Sequence, residues 1–175
     1  MEQFTIQKND FLSHDCTGYF HLYYVGYGQP GNPDYLNTLK NIFVSTHPDT
    51  LRAASRQAAA LMIQDIPHVM DAEGLDTAIL MAVPRSKSGM CNWQLGFKAA
   101  VRTTVKALQD NNLPVIDGTD FIFRHTSTKM THLRKPVSNF ENTGSEPYPG
   151  ITKDTCDIQN ESIKGRTVIL IDDIY

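Results

Sequence analysis

Two uninterrupted apolar runs limit what this chain can become. Residues 78–83 read AILMAV and residues 168–171 read VILI, with no polar residue to turn toward water. A strand with one wet face alternates; a continuous apolar strand is one covered on both faces, the habit of parallel sheets. Between and before these runs lie segments of helical period. Leu51, Ala54, Ala58, Leu61 and Met62 fall on one side after a helix entry at Pro48, and Phe97, Val101, Val105 and Leu108 do so later. Apolar strands alternating with amphipathic helices predict an α/β fold with a mainly parallel sheet flanked by helices.

The remaining segments are shorter. Tyr19 to Val25 (YFHLYYV) reads as a strand running into the turn cluster GYGQPGNPDY, and Asp120 to Arg124 (DFIFR) reads as a further short strand. Residues 135–163 carry Pro136, Gly144, Pro147, Pro149 and Gly150 with few apolar residues, which predicts an irregular flap. The expected organisation is an N-terminal segment, 1–72, packed on a core, 73–175.

With 175 residues the chain suits one domain, and a net charge of −3 gives no global attraction to nucleic acid or anionic lipid, so any anion site must be local. No apolar stretch reaches membrane-spanning length. Cys16, Cys91 and Cys156 are odd in number and contain no CxxC pair, which fits a reducing, cytoplasmic setting. His14, Cys16 and His21 match no standard zinc spacing and read as surface residues. Trp93 and Phe97 read as core aromatics rather than a base-stacking pair.

The second apolar run ends in two acids, Asp172 and Asp173, giving VILIDDIY. Beyond the carboxyl end of a parallel strand lies the crevice where α/β proteins bind ligands. Paired carboxylates there can hold Mg²⁺ or accept hydrogen bonds from vicinal sugar hydroxyls; they can also simply be solvated. A Walker B strand would need an upstream GxxxxGK[ST] loop, and none occurs. A receiver domain would carry its acids after its first strand, with most of the domain following.

VILIDDIY resembles the first half of the phosphoribosyl-pyrophosphate (PRPP) signature of type I phosphoribosyltransferases. The resemblance leans toward the ComF-like branch related to amidophosphoribosyltransferases. AILMAVPRSKSG, residues 78–89, resembles that family's first core strand and pyrophosphate loop, and residues 94–108 sit where its first helix belongs. FRHTSTKMTHL, residues 123–133, resembles the Arg–x–x–x–Thr pattern opening the mobile hood, without the Gln usual there. The zinc finger of many ComF proteins has no CxxC counterpart. The resemblance implies transfer of phosphoribosyl from PRPP to a nitrogen nucleophile with release of pyrophosphate. It assigns the ribose hydroxyls and Mg²⁺ to Asp172 and Asp173, the pyrophosphate to Arg85, Ser86 and Lys87, catalysis to Arg85 and Lys87, and the hood to Arg124 and Lys129. It further implies a fold whose C-terminal part is missing, because the signature stops at Tyr175. The chain as it stands is then expected to be impaired and to self-associate through its uncovered last strand. A non-catalytic PRPP- or nucleotide-binding regulatory domain, and an α/β fragment without a specific ligand, are the alternatives.

Charge is unevenly spread in a way that suits an anion site. Residues 77–109 contain no acid but Arg85, Lys87, Lys98, Arg102 and Lys106; residues 121–135 contain no acid but Arg124, Lys129, Arg134 and Lys135, with His125 and His132. Such stretches bind phosphate or serve as solvated faces.

Overall fold

The structure, a computed structural model, describes residues 1–10, 12–25, 30–41, 45–90, 94–130, 141–146 and 151–173. Its centre is a three-stranded parallel sheet ordered β4-β3-β7, from β3 (Ala78–Ala82), β4 (Val115–Asp117) and β7 (Val168–Ile171). All five residues of β3 are buried, as a central parallel strand requires. β3 pairs with β7 in the register Ile79↔Val168 to Ala82↔Ile171, so the two strands end side by side.

Helices α2 (Pro48–Ala72) and α3 (Gly96–Asp110) cover the sheet. Ile66 and Met70 of α2 and Val101, Val105 and Leu108 of α3 share one core with Ala78, Leu80 and Ala82 of β3, and Ile169 and Ile171 of β7 pack against it. The helix read from Leu51 to Met62 thus runs on through Pro67 to Ala72 and contributes to the central core. The expected N-terminal segment and core therefore share buried residues.

Helix α1 (Asp34–Lys40) lies against α2 and α3 through a second cluster built on small side chains. Ala54, Ala58, Ala59 and Ala100 leave room for Leu39, which is 2% exposed. Gly96 permits the same closeness: a Cβ there would stand 2.9 Å from Leu39 Cδ2. The Ser55 hydroxyl fills the remaining space, 2.7 Å from the Gly96 carbonyl.

Three readings are corrected. The strand expected at Tyr19 to Val25 is instead β2 (Cys16–Phe20), paired antiparallel with β1 (Glu2–Ile6), and Leu22, Tyr23 and Val25 are exposed beyond it. The Asp120 to Arg124 strand is shortened to β5 (Ile122–Arg124), because Gly118 to Asp120 form the turn leaving β4. The flap of residues 135–163 is not irregular throughout: it contains β6 (Cys156–Ile158), antiparallel to β5, and ends in a turn of helix, α4 (Asn160–Ile163). Residues 135–140 and 147–150 of that flap, with Cys91, Trp93, His132, Arg134 and Tyr175, lie outside the described residues. Phe97 packs against both core clusters. No described helix is long and apolar enough to cross a membrane.

Candidate functional site

The carboxyl ends of β3 and β7 make one corner of the molecule. The Val83 amide donates to the Ile171 carbonyl at 2.9 Å, which sets Asp172 beside the chain leaving β3. That chain continues through Pro84 and carries Arg85 onto the same edge. The Arg85 guanidinium donates to the backbone carbonyl of Lys40, at the end of α1, so three elements separated in sequence meet here.

Four charges converge at the corner. Burial draws the Arg85 guanidinium below its ordinary pKa, and Asp173 and then Asp172 oppose that shift. Burial likewise lowers Lys40, with Asp173 raising it, Arg85 lowering it and Asp172 raising it. Loss of hydration and then the Asp173 charge push Asp172 up to about 7, although the residue keeps an exposed side. The Asp173 amide donates to Asp172 Oδ1 at 2.8 Å, which orients one carboxyl oxygen without neutralising it. Two carboxylates this close do not both ionise comfortably unless a cation or hydroxyl donors stand between them.

The other residues singled out in sequence are placed differently. Lys87 donates to the Thr143 carbonyl. Ser86 presents its carbonyl to the Thr128 amide at 2.7 Å, and Ser88 binds the Ser127 hydroxyl at 3.0 Å through both its amide and its own hydroxyl. The loop after β3 is therefore clamped to residues 127–128. These are clamped in turn to the flap: the Lys129 amide donates to Ser145 and the Ser145 amide to Ser127, while Met130 and Asn142 exchange two hydrogen bonds. Gly144, at φ +118°, allows this contact, since a Cβ would meet the Thr128 backbone at 2.8 Å. Lys129 forms an exposed ion pair with Glu146. Arg124 is buried in β5 opposite Cys156, its pKa lowered by burial and raised by Cys156.

The basic face of α3 has a local explanation. Lys98 Nζ lies 2.5 Å from Asp120, and Arg102 reaches Asp120 at 2.7 Å and the Thr119 hydroxyl at 2.9 Å. That acid, Asp120, comes from the turn after β4, beyond the end of the acid-free stretch, so a linear charge count could not show the pairing. Lys40 was missed for a related reason: nothing in NTLKN marks one lysine as buried. That it ends a short helix, where a cation suits the carbonyl dipole, is seen only in the structure.

Among the described residues no three His, Cys, Asp or Glu side chains converge as a metal-binding group. His21 instead pairs with Asp65 at 2.8 Å, and Cys16 lies near the His14 carbonyl. The donors at Asp172 and Asp173 suit a magnesium ion that brings most of its ligands as water and substrate phosphate, the usual way that ion is held.

No protein-family model matches this chain, and no curated protein or solved structure shows significant similarity to it.

Proposed function

We propose that this chain is a phosphoribosyltransferase-like domain of the type I class. It would act on PRPP and a nitrogen-containing acceptor. The observation supporting this reading is the meeting of Asp172 and Asp173 with Arg85 at one parallel-sheet edge. Paired acceptors suit the vicinal hydroxyls of a ribose, and a cation beside them suits a phosphorylated ligand.

The reaction would break the bond from ribose C1 to the pyrophosphate oxygen, which leaves with the bonding electrons. The acceptor nitrogen supplies the pair for the new C–N bond and loses a proton. Charge accumulates on the leaving group, where a preorganised cation contributes most. Arg85 would serve that group and the aspartates would orient the ribose; Mg²⁺ bound with PRPP would add charge neutralisation. The clamp from residues 127–130 to 141–146 would form the wall that limits water.

A binding-only domain is the second reading, favoured by Lys87. With its ammonium committed to Thr143, one of the two cations assigned to the leaving group is diverted. Pyrophosphate release from PRPP in the presence of ammonia or a panel of nucleobases tests the catalytic reading in the protein at the full length of its reading frame. Acceptor-dependent release supports transfer. PRPP binding without release supports the regulatory domain, and neither overturns both.

A further inference from the structure

Lys40 occupies a position that folding alone does not favour. A lysine ends many helices because a cation suits the carbonyl end of the dipole, but that role is filled at the surface. Here the residue is 7% exposed. Its ammonium stands 4.7 Å from the centre of the Tyr24 ring, and among the described residues it has no carboxylate in ion-pair contact. An aromatic face compensates only part of the hydration that a buried ammonium gives up. The neighbouring guanidinium of Arg85 repels it, yet Arg85 also grips the Lys40 carbonyl and so fixes the residue at the corner. Leu39, packed among the alanines of α2 and α3, holds the helix end from the other side. The Asp172 and Asp173 charges act on Lys40 without contacting it. The arrangement is a fixed, partly compensated ammonium within electrostatic reach of a carboxylate pair.

We propose that Lys40 is a ligand-contacting residue whose ammonium binds a phosphoryl oxygen of the molecule that Asp172 and Asp173 hold by its hydroxyls. The site then selects a phosphorylated sugar over a neutral one. This rests on the reading of the aspartate pair as a ribosyl site. It adds a residue from the N-terminal segment, outside every stretch that the sequence marked for phosphate. A compact ammonium with three donors suits a phosphoryl group that must be met as a point charge rather than as a planar fork. The oxygen belongs to the sugar phosphate or to the pyrophosphate, two sources that separate probes distinguish.

The test titrates Mg²⁺·PRPP, ribose 5-phosphate and Mg²⁺·pyrophosphate into the protein at the full length of its reading frame. The variants are Lys40→Met, Lys40→Arg and the double variant Asp172→Asn/Asp173→Asn. Losing one charge-assisted contact is expected to weaken PRPP binding by about 10- to 100-fold in Lys40→Met, with Lys40→Arg recovering most of it. The isolated probe that weakens in parallel names the phosphoryl group. In the unaltered protein the Lys40 ¹³Cε resonance, assigned by its loss in Lys40→Arg, should move on saturation with Mg²⁺·PRPP. Unchanged PRPP affinity in Lys40→Met, with binding abolished in the double aspartate variant, overturns the lysine contact and leaves the ribosyl site standing. An unaltered protein that does not bind PRPP overturns both. Should Lys40→Met not fold, the resonance decides, and a signal that stays still overturns the contact.

Discussion

The guanidinium of Arg85 donates to the backbone carbonyl of Lys40, a residue 45 positions earlier and on a different element. This bond fastens the end of α1 to the loop leaving the central strand. It thereby places an N-terminal lysine at the carboxyl edge of the sheet, opposite the two aspartates that close β7.

If that bond is the main polar tie of α1 to the sheet, Arg85→Ala should loosen α1 selectively. A hydrogen bond from a charged donor is worth about 1.5–3 kcal/mol, so amide exchange in residues 36–40 should accelerate at least about tenfold. Protection in α3 should hold. Uniform acceleration across α1, α2 and α3 would show that Arg85 supports the whole fold instead.

Asp172 yields a prediction with a definite sign. Its folded pKa is raised to about 7, chiefly by lost hydration and then by Asp173. A carboxyl that keeps its proton longer in the folded state favours folding at pH values below its ordinary range. That contribution is lost as pH rises from about 4 toward 7, because the unfolded chain ionises first. Asp172→Asn, which cannot ionise, should therefore gain in melting temperature relative to the unaltered protein as pH rises from 5 to 8. The gain should stay within about 1 kcal/mol, since the residue's exposed side admits screening. A difference that shrinks with rising pH would contradict the crowded-carboxylate picture.

Gly144 tests the clamp. It combines a φ of +118° with a site where a Cβ would meet backbone atoms of Ser127 and Thr128, neither of which can swing aside. Gly144→Ala should cost about 1–3 kcal/mol, expressed locally as faster proteolysis between residues 127 and 146. Equal cleavage rates would mean that the flap does not depend on that approach.

What the sequence made legible follows from which interactions are local. The β3 run AILMAV and the helical spacing of Phe97, Val101, Val105 and Leu108 announce themselves, because burial on both faces or on one stripe is written in consecutive residues. The position of Asp172 and Asp173 past the carboxyl end of an apolar strand follows from the strand's own end, whereas the pairing of β3 with β7 is known only from the structure. β4 was not legible: VID is three residues long and gains its place only by pairing beside Ala78 to Leu80. β6 was hidden in a stretch dominated by proline and glycine, since its partner Ile122–Arg124 lies more than 30 residues earlier. The placement of Lys87 and Lys40 was hidden for the same reason. Proximity to an apolar strand suggested Lys87, but Thr143 captures it, whereas Lys40 reaches the corner only through the docking of α1 on α2 and α3.

Calorimetric titration of Mg²⁺·PRPP decides whether the edge formed by β3 and β7 holds a phosphoribosyl ligand. The protein at the full length of its reading frame should bind PRPP, and Arg85→Ala should weaken binding by roughly 1–3 kcal/mol, the worth of one charge-assisted contact. Asp172→Asn/Asp173→Asn should abolish it. Arg102→Ala should leave affinity unchanged, because Arg102 is engaged with Asp120 and Thr119 on the flank of α3. Absence of PRPP binding, or binding indifferent to Asp172, Asp173 and Arg85, would contradict a phosphoribosyl site at this edge.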